Sequence, residues 1–126
     1  MATKTIATDA APAAVGPYSQ AIADDDFIFC SGQVALDPQS GELVGPDIGE
    51  QTRQSLANLA AVLAAAGVGF DAVVKVTAYL IDMNDFKTFN EVYAEVLGEA
   101  RPARATIGVA GLPLGARVEV ECIARA

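Results

Sequence analysis

PARATIGVAGLPLGARVEVECIARA, running from Pro102 to Ala126, sets an arginine and two glutamates inside otherwise apolar strands. Val118, Val120, Cys122 and Ala124 alternate with Arg117, Glu119, Glu121 and Ile123, the period-two pattern of a strand with one face buried. Ala105 to Val109 predicts a shorter strand, and Gly111-Leu112-Pro113-Leu114-Gly115 between the two is a connection of backbone breakers. The expected product is an antiparallel pair that carries Arg104 towards the carboxylates of the last strand. Arginine suits a carboxylate ligand, because its planar fork donates two parallel charge-assisted hydrogen bonds and stays protonated. A glutamate nearby supplies an acceptor and a general base. The plain alternative is that Arg104, Glu119 and Glu121 are surface charges paired across a hairpin, which contribute little.

Working back along the chain, Asp85 to Leu97 predicts a helix with Phe86, Phe89, Tyr93 and Val96 on one face, capped by Asp82 or Asn84 and stopped at Gly98. Asn90 is a polar residue on that helix. Ala72 to Asp82 predicts a strand with Val74, Val76, Ala78 and Leu80 on one side and Lys75, Thr77 and Tyr79 on the other. Apolar positions from Asp47 to Ala66 recur at three- and four-residue spacing, which predicts an amphipathic helix ended by Gly67, with Arg53 on its polar face. Gln20 to Ala23 and Phe27 to Ser31 form a predicted hairpin closed by Asp24-Asp25-Asp26, with Gln33 to Leu36 as a further strand. Gly32, inside that pattern, marks a bulge or a close backbone approach. In Gly16-Pro17-Tyr18-Ser19 the proline fixes its own φ and restrains Gly16, so the loop presents Tyr18 on a defined path. Lys4 to Ala7 is a short first strand.

The 126 residues form one predicted domain, 1–126, with a 52% hydrophobic content that hints at surface buried between subunits. The formal net charge of −8 repels nucleic-acid phosphate. The absence of histidine removes Ser-His and Cys-His catalysis and the common zinc sites, leaving carboxylates, arginine, tyrosine and backbone groups for any chemistry. Cys30 and Cys122 lie in strand-like runs without CxxC spacing and are expected to be reduced, buried thiols. No run is long and apolar enough to span a membrane and no signal pattern opens the chain, so a soluble cytoplasmic protein is expected.

The segments VGPYSQAI, FCSGQVALDPQSGELVG, QTRQSLANLAAVLAAAG, DFKTFNEVYAEVL and PARATIGVAGLPLGARVEVE together resemble the reactive intermediate deaminases, the YjgF-like enamine and imine hydrolases, in the family's order and spacing. The order of elements predicts an α+β domain with two helices on one face of a mixed sheet, and the resemblance implies that this is a chorismate-mutase-like fold assembled as a homotrimer with sites at subunit interfaces. It implies hydrolysis of 2-aminoacrylate-type enamines or 2-imino acids to 2-keto acids and ammonia, with neither metal nor organic cofactor. It also implies roles for residues. Arg104 and Glu119 are the catalytic pair, and Tyr18, Ser31, Gly32, Asn90, Arg104, Ala105 and Thr106 bind substrate. Glu121 alternates with Glu119, which places it on the same sheet face as an accessory charge or an interface residue. Many relatives carry cysteine where this chain has Thr106, a change that spares a role carried by main-chain atoms. The competing readings are a keto-acid-binding or holdase module of the same family, an endoribonuclease or translation inhibitor, disfavoured by charge, and a chorismate mutase, which would need more cations than Arg104.

Overall fold

The computed structural model describes residues 2–126. Its strands are β1 (Lys4–Ile6), β2 (Ala21–Ala23), β3 (Phe27–Gln33), β4 (Val73–Leu80), β5 (Ala103–Gly108) and β6 (Val118–Arg125), and its helices are α1 (Ile48–Ala65) and α2 (Phe86–Leu97). They form one mixed sheet in the order β1-β2-β3-β6-β4-β5, parallel between β4 and β5 and antiparallel elsewhere. Both helices lie on one face, because each alternating strand offers one apolar stripe. Leu56, Leu59, Val62, Leu63 and Phe89 of the helices close on Ile28, Ala78, Leu80, Val118 and Val120 of the sheet.

The helix limits follow from local chemistry. Asp47 caps α1 by accepting the Glu50 amide at 2.9 Å. The end of α1 is closed by the Gly67 amide on the Ala64 carbonyl and the Val68 amide on the Leu63 carbonyl, a turn that needs the positive φ of Gly67 (+87°). Two polar residues of α1 are buried and put to use. Gln51 accepts the Arg117 amide and donates to the Gly45 carbonyl, and Asn58 donates to the carbonyls of Val34 and Leu36. They satisfy loop backbone that crosses the core without a ladder. Arg53 pairs with Glu95 across the helices at 3.0 Å, on the exposed side as expected. Cys30 and Cys122 are free, buried and directly opposite each other across β3 and β6.

Three sequence expectations are corrected. The strands β5 and β6 are not a pair: β6 runs antiparallel between β3 and β4, and β5 runs parallel to β4 at the edge. Arg117, just before β6, forks onto the buried Asp85 carboxylate at 2.8 and 2.9 Å, and its amide is held by Gln51, which seats β6 beneath the helices. Gln33 to Leu36 is not a ladder strand, since β3 ends at Gln33 and a single bridge joins Leu36 to Leu43. In β4 a register shift between Val73 and Lys75 turns Val74 out to solvent, so Val73, Val76, Ala78 and Leu80 form the buried stripe.

The face without helices carries Phe27, Phe29, Ile107 and Ile123 beside Tyr79, Glu119 and Glu121; Phe27, Phe29 and Ile107 are 40%, 45% and 44% exposed.

Candidate active site

Glu119 and Glu121 alternate with the buried valines of β6 and therefore share the helix-free face. Cys30 pairs with Cys122 and Gln33 with Val120, so β3 spends one more residue than β6 over that interval, a bulge at Ser31 and Gly32. The bulge lets the Glu119 side chain lie on the backbone of Gly32. A Cβ at Gly32 would sit 2.0 Å from Oε2 and 2.9 Å from Cδ of Glu119. Both meanings of a strand glycine, bulge and close approach, are thus realised at one position.

The loop carrying Tyr18 is fastened to the same bulge. Pro17 sits inside a tight turn closed by the Tyr18 amide on the Gly16 carbonyl at 2.8 Å. Ser31 then donates its hydroxyl to the Ser19 carbonyl at 2.6 Å, and its amide to the Gln20 carbonyl at 3.0 Å. Gln20 is itself buried and bonds Thr8 and Pro12 of the preceding loop. Tyr18 stays 51% exposed. Tyr18, Ser31, Gly32 and Glu119 line one cleft of about 370 Å³, completed by Val34, Leu36, Pro113 and Leu114.

Burial, reinforced by the charge of Glu121, raises the Glu119 carboxyl above the ordinary glutamate value. Glu121 accepts the Tyr79 hydroxyl at 2.5 Å, and this bond, with burial and the glutamate charges, pushes the tyrosine up to about 12. The result is a short row, Tyr79 to Glu121 to Glu119, in which the phenol donates to one carboxylate and the charge of that carboxylate disfavours charge on the next.

Arg104 lies elsewhere. In the β4–β5 register it stands opposite Val76 and Thr106 opposite Ala78, so both point to the helix side, while Ala105, opposite Thr77, points to the helix-free side. The Arg104 guanidinium rests on α2, 4.7 Å from the ring centre of Tyr93 and 5.6 and 5.8 Å from those of Phe89 and Phe86. Among the described residues it has no carboxylate partner, since the ion pairs are Arg53–Glu95 and Arg117–Asp85. Arg104 and Asn90 line a second cleft of about 400 Å³ with Tyr93, Ala94, Arg101 and Pro102. The hydroxyls of Tyr93 and Thr106 are buried without a hydrogen-bond partner. Burial raises the Tyr93 phenol, with Arg104 and Arg101 pulling the other way.

The expected site residues therefore gather into two groups, Tyr18, Ser31, Gly32 and Glu119 in one cleft and Asn90 and Arg104 in another. Arg104 and Glu119 are on opposite faces of one chain's sheet, which overturns the expectation that a β5–β6 pairing would bring them together. Ala105 and Thr106 line neither cleft. Tyr93 and Arg101 were not foreseen. Tyr93 was legible as the residue one helical turn beyond Asn90, whereas nothing in the sequence pattern marks Arg101. No group of three or more Cys, Asp or Glu side chains among the described residues converges as a metal site, and no helix among them is long and apolar enough to cross a membrane.

Residues 8–126 match the family model described as Endoribonuclease L-PSP. The chain is 54% identical over 121 residues to the mouse protein named 2-iminobutanoate/2-iminopropanoate deaminase, covering 96% of this chain and 90% of that one. Its fold is similar to that of a Rid-family protein from Yersinia pestis, with a TM-score of 0.97, 44% identity, and coverage of 99% of this chain and 100% of that one. It is also similar to Escherichia coli TdcF, solved with bound serine, with a TM-score of 0.94, 40% identity and 98% coverage of each chain.

Proposed function

The chain belongs to the L-PSP family, which includes the YjgF- and Rid-type proteins, and from its two clefts we propose that it hydrolyses 2-imino acids and their 2-aminoacrylate-type enamine tautomers. Water adds to the C=N carbon, a C–O bond forms, the C–N bond breaks, and the protons of the water leave with nitrogen as ammonia. The product is a 2-keto acid. The name of the mouse relative supports the imine substrate class.

The observation that carries this reading is the seating of the Glu119 carboxylate on Gly32, in a cleft shared with Tyr18 and at a raised pKa. Such a carboxylate accepts a proton from an attacking water and returns one to the departing nitrogen more readily than an ordinary surface glutamate does. Arg104, free of any carboxylate partner and cradled by three aromatic rings, is the bidentate grip on the substrate carboxylate. The Gly32 amide and backbone around Ala105 and Thr106 orient the nitrogen and the water, while Tyr18 and Asn90 close the walls. So electrophilic a carbon requires neither metal nor organic cofactor.

The two half-sites belong to different chains in this reading. Arg104 and Glu119 lie on opposite faces of one sheet, β5 is an edge strand, and the helix-free face exposes Phe27, Phe29 and Ile107. A homotrimer buries that face and sets the Arg104 cleft of one chain against the Glu119 cleft of its neighbour. The protein works in the cytoplasm beside enzymes that release such imines.

The family description names a nuclease, but a net charge of −8 and the paired glutamates of the helix-free face repel a phosphate backbone. The test is release of 2-keto acid and ammonia from enamine generated in place by a limiting serine or threonine dehydratase. Wild type should accelerate release and Arg104→Ala should not. Ligand binding without acceleration would replace hydrolysis by a keto-acid-binding module.

A further inference from the structure

The Arg104 cleft holds a second arginine. Arg101 lies three residues beyond the helix α2 stop at Gly98, whose φ is +63°. It turns back so that Nη1 donates to the carbonyls of Gly98 and Ala100 at 2.5 and 2.8 Å. Both protons of Nη1 are used in this way, which leaves the protons of Nη2 and Nε unengaged. Pro102 restrains the backbone that follows. The guanidinium is thereby anchored while half of its fork remains open. Like Arg104, it has no carboxylate partner among the described residues, although the chain carries sixteen acidic residues against eight basic ones, and the residues lining this cleft include no acid.

A monocarboxylic imino acid needs one arginine for its carboxylate. A cleft with two, uncompensated in an acidic protein, is built for two negative groups. We propose that Arg101 forms a second anion subsite beside Arg104, so that the preferred ligand is a 2-imino dicarboxylic acid, or its keto product, whose side chain ends in a carboxylate. The inference rests on the hydrolase reading for the chemistry at the imine carbon, but the subsite concerns binding and is tested separately. Asn90 and Tyr93 line the same cleft and add polar groups to it.

The experiment titrates the protein calorimetrically with 2-oxoglutarate and with 2-oxopentanoate, an acid of the same length that lacks the second carboxylate. A second arm follows hydrolysis of the imines made in place by oxidising aspartate and alanine. Wild type should bind 2-oxoglutarate about fivefold more tightly, the upper worth of one charge-assisted contact at an exposed site. Arg101→Gln should abolish that preference and leave 2-oxopentanoate affinity unchanged, which also reports that the cleft is folded, and Arg101→Lys should keep part of it. Equal affinity of wild type for the two acids, or a preference that survives Arg101→Gln, overturns the subsite. Diacid-selective binding with no turnover of either imine would remove the hydrolase reading and leave the subsite standing. Turnover of both imines with no preference dependent on Arg101 would do the reverse.

Discussion

Replacing Gly32 by alanine tests the coupling of the bulge to Glu119 directly. The new methyl group would sit 2.0 Å from Glu119 Oε2, 2.9 Å from Cδ and 3.1 Å from Cγ. To regain an ordinary contact of about 3.5 Å the carboxylate must move by more than about 1 Å. The clash falls on the free end of a side chain rather than on backbone, so the fold should lose no more than about 1 kcal/mol, read from the urea midpoint at constant slope. Catalysis should lose far more, because a displacement of about 1 Å at a reacting group costs on the order of a hundredfold. The assay is the coupled release of keto acid and ammonia, with Glu119→Gln and the double variant alongside. If the methyl acts by moving Glu119, it should cost almost nothing further once Glu119 is already glutamine, a non-additivity of about 3 kcal/mol. A Gly32→Ala enzyme with the wild-type rate would refute the argument, and so would a double variant whose losses simply add.

Arg104→Lys should lower kcat/KM on a 2-imino acid roughly a hundredfold, about 3 kcal/mol, since an ammonium cannot reproduce the two-pronged grip; near-native turnover would exclude the clamp. Glu121→Gln removes one of the two influences that raise Glu119, so the acid limb of the pH–rate profile, where activity appears as Glu119 ionises with rising pH, should move to lower pH. The same variant should bring Tyr79 down from about 12, visible in tyrosinate absorbance, because its bond to Glu121 is the main cause of that value. Thr106→Ala should keep activity within a few-fold of wild type, because the Thr106 hydroxyl has no protein partner; complete loss would assign this side chain a chemical role.

The local signals in the sequence were dependable and the pairing signals were not. Helix α1 begins at its Asp47 cap and ends within a residue of the expected limit at Gly67, because caps and positive φ are decided by neighbours in sequence. The shared face of Glu119 and Glu121 follows from counting by two. Neither rule says which strand lies beside which. The breaker-rich segment 109–117 looks like a hairpin connection, but it carries the chain past β4, because Arg117 is held by Gln51 of α1 and by Asp85, the residue just before α2. The bulge at Val74 resets the parity of β4 at its first residues, which no composition signals. The separation of Arg104 from Glu119 was illegible for the same reason: parity is defined within a strand, and relating two strands requires their register.

The position of β6 also has a consequence for the order in which the protein can be made. The strands β1 to β3 are contiguous in the chain, as are β4, α2 and β5, yet within the sheet the two groups are joined only through β6, which follows them all and lies between them. While the polypeptide leaves the ribosome, neither half-sheet has its neighbour, and one backbone edge each of β3 and β4 stays unpaired until residues 118–125 have emerged. Closure is then a single event with a long sequence span, a topology that folds slowly. A chain truncated before Val118 would therefore hold two half-sheets with no strand to join them.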